Sequence, residues 1–175
     1  MRVRQARATD WEALRTLRLR ALADAPEAFA STLEQEAALP DEVWRRRAEG
    51  GPGLANFIAD KDGVDVGLAA IFAEPNAPGC MQLVSMWVDP LYRRQGAARA
   101  LVDRAVGWAA DRQARGVILW VVERNTAARS FYERIGFQPT GERQPLSSNP
   151  ARIERRLRLS LEGPRADARN PRARG

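Results

Sequence analysis

The apolar positions change period along the chain, and each change marks an element. Arg2 to Ala6 alternates polar and apolar, which predicts a short first strand. Thr9 and Asp10 then offer helix N-caps. Trp11, Leu14, Leu17, Leu19 and Leu22 recur at near-helical spacing up to Pro26, predicting a helix of about four turns. Pro40 breaks the next stretch; a short helix is expected over Asp41 to Arg47, and the glycines from Gly50 to Gly53 stop it. Two apolar runs, Leu54 to Asp60 and Val64 to Glu74, flank the turn Lys61-Asp62-Gly63 and read as a hairpin.

Cys80 to Val88 is nearly all apolar, as expected where both faces of a sheet are covered, and Asp89-Pro90 ends it because proline cannot donate to a ladder. From Gln95 the period lengthens. Ala98, Leu101, Val102, Ala105 and Ala109 share one helical face, with Arg99, Asp103, Arg104 and Asp111 on the wet side. Gly116 to Val122 is a second apolar strand, and a strand-helix-strand unit of this kind predicts parallel pairing through a right-handed crossover. Asn125 to Gly136 predicts a short helix with Ala128, Phe131, Tyr132 and Ile135 on one stripe and Gly136 as its C-terminal cap. Two strands, within Phe137 to Leu146 and Ala151 to Leu161, complete an α/β fold with a mixed sheet over residues 1–160. Residues 161–175 are rich in Pro, Gly and Arg without an apolar period, which predicts a disordered tail.

Composition narrows the chemistry. The 175 residues, 45% hydrophobic, suffice for one domain with one sizeable core. No apolar run approaches the roughly 20 residues of a membrane span, and the first residues lack the apolar stretch of a secretion signal, so no membrane partner and a cytoplasmic location are expected. The absence of histidine excludes the usual zinc constellations and Ser-His or Cys-His nucleophile pairs, and no metal is expected. Cys80 reads as a small apolar residue. The net charge of +6 comes from arginines spread over the predicted helices and the C-terminal end, with Lys61 the only lysine. No basic strand is interleaved with aromatic residues, so no specific nucleic-acid partner is expected; an anionic ligand fits.

The place for an anion is the turn between Val88 and Ala98. A strand that turns directly into a helix leaves the first N–H groups of that helix unbonded, with the positive end of its dipole behind them. Gly96 has no Cβ, Ala97 and Ala98 have small side chains, and Arg93, Arg94 and Arg99 can add charge-assisted hydrogen bonds. The Gly-Lys-Ser/Thr of a nucleoside-triphosphate loop and the three glycines of a dinucleotide fingerprint are both missing.

Arg93-Arg94-Gln95-Gly96-Ala97-Ala98 resembles the Arg/Gln-x-x-Gly-x-Gly/Ala signature of the GNAT family of N-acetyltransferases. The block from Asn125 through Phe131, Tyr132 and Gly136 to Phe137 is similar to that family's Asn-x-x-Ala-x-x-Phe-Tyr-x-x-x-Gly-Phe helix. The resemblance implies a central mixed sheet of about seven strands with about four helices, splayed between the strand ending at Val88 and the strand ending near Val122. It implies acetyl-CoA as co-substrate, with the pyrophosphate on the amides of Arg94, Gln95, Gly96, Ala97, Ala98 and Arg99, and Arg93 or its neighbours on the phosphates. The pantetheine arm would pair with Met86, Trp87 and Val88, and Asn125 would face that arm. Tyr132 matches the family's general acid, although its place on the stripe alone equally suits a core residue, and Asn125 alone is equally an ordinary N-cap.

The base is open between carboxylates and a water chain to bulk. Glu123 is the first choice because it follows the strand lining the cleft; Glu34 is the second, and Glu36 is a further candidate. The expected reaction is direct acetyl transfer to a primary amine of a small molecule, since the loops hold no extended peptide-docking insert. Acetylation of a protein N-terminus or lysine, and a non-catalytic acyl-CoA-binding module, are the alternatives. The family also brings the expectation of a homodimer.

Overall fold

Seven strands form one sheet in the order β1-β2-β3-β4-β5-β7-β6. They are β1 (Arg2–Gln5), β2 (Leu54–Lys61), β3 (Val64–Ala73), β4 (Cys80–Val88), β5 (Gly116–Val122), β6 (Gln138–Leu146) and β7 (Asn149–Ser160). The computed structural model describes residues 1–162; the expected disordered tail lies from residue 163 onward outside the described residues. Leu161, placed in that tail from the sequence, donates its N–H to Arg115 O at 3.0 Å, so the ordered chain continues through it. No helix of the described residues is long and apolar enough to cross a membrane.

The sheet's alternation sorts side chains onto two faces. Phe57 of β2 faces a core with Leu101, Val102, Ala105 and Trp108, which come from α4 (Ala97–Ala110), and with Tyr132 of α5 (Thr126–Arg134). Ile58, the next residue, faces a second core with Leu14, Leu17 and Leu22 of α1 (Trp11–Asp24) and Ala48 of α3 (Asp41–Glu49). The mixed sheet thus carries helices on both faces, and α4 makes the crossover between β4 and β5, the one parallel pair among the described strands.

Where about four helices were expected there are five, because a short α2 (Leu33–Ala37) precedes Pro40. A capping box starts it: Thr32 Oγ1 accepts from Gln35 N–H at 3.2 Å, and Gln35 Oε1 accepts from Thr32 N–H at 3.0 Å. This turn is what carries Glu36 inward.

The splay expected between β4 and β5 is present. The two strands pair only from Cys80 to Gln82 against Gly116 to Ile118, although both run further. Each stays with its other neighbour. Asp89 N–H donates to Val66 O at 2.9 Å, holding the end of β4 against β3, while β5 remains in register with β7 up to Val122 and Glu154. Ser85, with a φ of 56°, lies at an irregularity of the β3–β4 ladder, which bends β4 where the gap opens.

Candidate functional site

A cavity of about 380 Å³ occupies the gap. Met86, Trp87 and Val88 line it from β4; Ala98 of α4 and Asn125, Phe131 and Tyr132, at and within α5, line it from the other side. Successive strand residues turn their N–H groups to opposite edges. Since the Asp89 N–H is spent on β3, the Val88 N–H faces the gap. Asn125 Oδ1 accepts from Ala128 N–H at 3.1 Å, so this residue caps α5 and lines the cavity at once.

Tyr132 is buried, with its ring edge-on to Phe131 and Phe137 at centroid distances of 5.1 and 5.6 Å. Its hydroxyl has no hydrogen-bond partner among the described residues. Burial pushes the phenol pKa above its ordinary value, because the interior disfavours a phenolate. The group keeps its proton at every physiological pH.

The turn into α4 has the geometry of an anion cradle. Gly96 is left-handed at φ 88°, a conformation that costs an L-residue roughly 1–2 kcal/mol, and a Cβ there would meet nothing within 4 Å. The first hydrogen bond of the helix is Ala100 N–H to Gly96 O at 3.0 Å. The N–H groups of residues 94–99 have no backbone partner among the described residues. They lie beside a glycine with open space over it, at the positive end of a helix dipole.

The three arginines expected there divide. Arg93 donates through Nε to Val88 O at 2.9 Å and also pairs with Asp24, which makes it a strut of the cleft. Arg99 is engaged by Asp103 at 2.7 and 2.8 Å. Arg94 has no side-chain partner among the described residues. Gln95 turns back, donating to Leu91 O at 3.1 Å and accepting from Lys61. Asp24 was not singled out from the sequence. It ends α1, lines the cavity, and accepts from Trp87 Nε1 at 2.9 Å as well as from Arg93. Burial would push its carboxyl up, but the hydrogen bonds from Trp87 and Arg93 outweigh this and hold it below the usual range. A helix-terminal Asp before Ala-Pro has no local signal; its role exists only once α1 lies across β4.

The carboxylates considered as base do not line this cavity. Glu123 is bound by Arg155 at 2.5 Å and Arg143 at 2.8 Å. The hydrogen bond from Arg155 first, and then that from Arg143, hold its pKa low, which is the wrong direction for a group that must take a proton near neutral pH. Glu34 is exposed on α2. Glu36 is buried between Arg18 and Arg47; although burial opposes its charge, hydrogen bonds from Arg18, Ser31 and Arg47 bring its pKa to about 2. The opposite case is Glu154, which was not singled out from the sequence. It is 8% exposed, and burial pushes its carboxyl up despite a hydrogen bond from Gln144 at 3.2 Å.

Comparison with known proteins identifies the family and the fold. A model of the Acetyltransferase (GNAT) family matches residues 11–137. A mycothiol acetyltransferase of Beutenbergia cavernae is 33% identical over 123 residues, covering 70% of this chain and 39% of that protein. The chain spans about two fifths of the length of the curated relatives it matches first. Among solved structures, a GCN5-related N-acetyltransferase of Kribbella flavida superposes with a TM-score of 0.73 at 24% identity, over 91% of this chain and 97% of that one. An acetyltransferase of Salmonella typhimurium, solved with acetyl-CoA, gives 0.70 at 18% identity, over 95% and 96%.

Proposed function

We propose, for a chain that belongs to the GNAT acetyltransferase family, that it transfers the acetyl group of acetyl-CoA to a primary amine of a small molecule. One observation carries the reading: a run of unpaired N–H groups around Gly96 lies at one end of a strand gap whose other wall holds a protonated, buried tyrosine. A diphosphate fits the first feature, and an extended arm pairing with the Val88 edge fits the second. The likeness to the mycothiol acetyltransferase of Beutenbergia cavernae supports a small-molecule acceptor.

In this reading the amine nitrogen attacks the thioester carbonyl carbon directly. The carbonyl oxygen, as it gains charge, meets an N–H of the Met86 to Val88 edge. When the C–S bond breaks, the sulfur keeps the electron pair and takes a proton from the Tyr132 hydroxyl, while the ammonium centre gives up its proton to water. Burial raises the pKa of Tyr132, and the same poorly solvated cleft destabilises the leaving thiolate, so donor and acceptor shift in the same direction. Arg94 is the side chain available to the phosphates; Arg93 fixes the cleft wall.

The test is a CoA-release assay over a panel of amines, together with acetyl-CoA binding by calorimetry. Gly96→Glu places bulk and negative charge in the cradle and is expected to abolish acetyl-CoA binding. Binding that survived this change would remove the pyrophosphate assignment. Release with peptide substrates alone would overturn the small-molecule acceptor.

A further inference from the structure

A second cavity, of about 230 Å³, lies on the α1–α3 face of the sheet. It adjoins the cleft at two points. Ser85 lines this cavity and Met86, the next residue, lines the cleft. Phe29 lines the cleft, and the Arg18 guanidinium, part of this cavity's wall, lies over its ring at 4.6 Å. The floor, from β2, β3 and β4, is apolar at Leu54, Leu68, Ala70 and Val84 and polar at Asn56 and Ser85, and the charged wall consists of Arg18, Glu36 and Arg47.

The charges in that wall do not balance. Glu36 Oε1 accepts from Arg18 Nε at 3.1 Å and Nη2 at 2.8 Å, and also from Ser31; Oε2 accepts from Arg47 Nη1 at 2.7 Å. One carboxylate therefore faces two guanidinium groups: Arg18 is buried, and Arg47, with 40% of its side chain exposed, brings a second positive charge to the cavity's solvent side. Two buried donors on wall residues, Arg18 Nη1 and Trp44 Nε1, have no partner among the described residues. Native interiors leave few buried donors unpaired, so two of them on one cavity wall call for a ligand. The volume exceeds that of several waters, at roughly 30 Å³ each.

We infer that this cavity receives a carboxylate carried by the acceptor, so that the amine acetylated in the adjoining cleft belongs to a free amino acid or a similar carboxylated amine. The inference rests on the transferase reading above. A monoanion cancels the excess charge, guanidinium groups match a carboxylate in geometry, and the apolar floor accommodates a small aliphatic side chain. A polyamine would bring a second positive charge against Arg18 and Arg47 and is disfavoured.

The test compares free α-amino acids with their primary amides, using the full chain with and without CoA, by calorimetric binding and by CoA release. The acid is expected to bind and react at least tenfold better than its amide. Arg47→Gln removes the excess charge and leaves the Arg18–Glu36 pair intact; it should bring acid and amide to near parity. Trp44→Phe keeps an aromatic ring but removes the N–H together with part of the indole's bulk, and should reduce the acid preference several-fold with the acetyl-CoA KM unchanged. Equal binding of acid and amide, binding of neither, or an acid preference untouched by both variants overturns the inference. Acetyl-CoA binding is measured in parallel. If it is intact and carboxylate-free amines are the ones acetylated, the carboxylate site falls and the transferase reading stands; if acetyl-CoA does not bind, the transferase reading falls.

Discussion

The carboxylate of Asp24, at the end of α1, is paired with the guanidinium of Arg93, 69 positions later, and both residues line the cleft. Each has a second partner on β4: Asp24 takes the Trp87 indole N–H, and Arg93 gives a hydrogen bond to Val88 O. The four groups tie α1 to the strand end that forms one wall. Because the folded-state pKa of Asp24 is lowered, its contribution to stability is present above the unfolded value of about 3.9 and is lost as pH falls through the folded value. Asp24→Asn should therefore melt at a lower temperature than the parent at pH 7, and the difference should narrow below about pH 4. Melting curves at the two pH values check this.

Tyr132→Phe keeps both edge-on ring contacts and deletes only the hydroxyl. Loss of a positioned acid typically costs about 100-fold or more in rate, so CoA release should fall by that order while acetyl-CoA affinity and melting temperature change little. Unchanged turnover would remove the acid role from Tyr132 and leave it a core residue.

Arg94 and Arg99 read alike in the sequence, yet only Arg94 lacks an ion-pair partner among the described residues; Arg99 is bound by Asp103 one helical turn on. A charge-assisted hydrogen bond is worth about 1.5–3 kcal/mol, so Arg94→Gln should weaken acetyl-CoA binding by roughly tenfold or more. Arg99→Gln should weaken it less. Titration calorimetry at two salt concentrations separates a phosphate contact from general attraction, because a direct contact keeps most of its loss at high salt while long-range attraction is screened away.

Local signals carried most of the fold. The alternation of β1, the periodic face of α4 and the apolar strands β4 and β5 name their elements without tertiary help, and Gly96 marks a turn that only a left-handed residue can make. The capping box of Thr32 and Gln35 was equally local, but a five-residue helix has too few apolar positions to show a period. The fates of the charges were not legible. Arg93 against Asp24, Glu123 against Arg155 and Glu36 against two arginines are pairings between distant segments, and nothing in the sequence around Glu123 says that β7 will bring an arginine to it. Glu154 was hidden for a related reason: it stands among the charged positions Arg152, Arg155, Arg156 and Arg158 of its strand, while its burial depends on what packs over that face.

Glu154 gives a stability prediction of the opposite sign to Asp24. Its carboxyl is held above its ordinary value by burial, and Gln144, its hydrogen-bond partner, carries no charge to offset this. The unfolded chain releases the proton near pH 4.3, before the folded chain does, so folding is progressively disfavoured as pH rises from there through the folded value. A glutamine in its place still offers an oxygen to the Gln144 amide and never ionises. Glu154→Gln should accordingly be more stable than the parent at pH 7 and close to it below about pH 4, where both chains carry a neutral side chain at this position. Urea unfolding at pH 4 and pH 7 decides the matter. A variant less stable at pH 7 would mean that the ionised carboxylate has a favourable partner in the fold, and the arginines on either side of it, Arg152 and Arg156, would be the first to replace in turn.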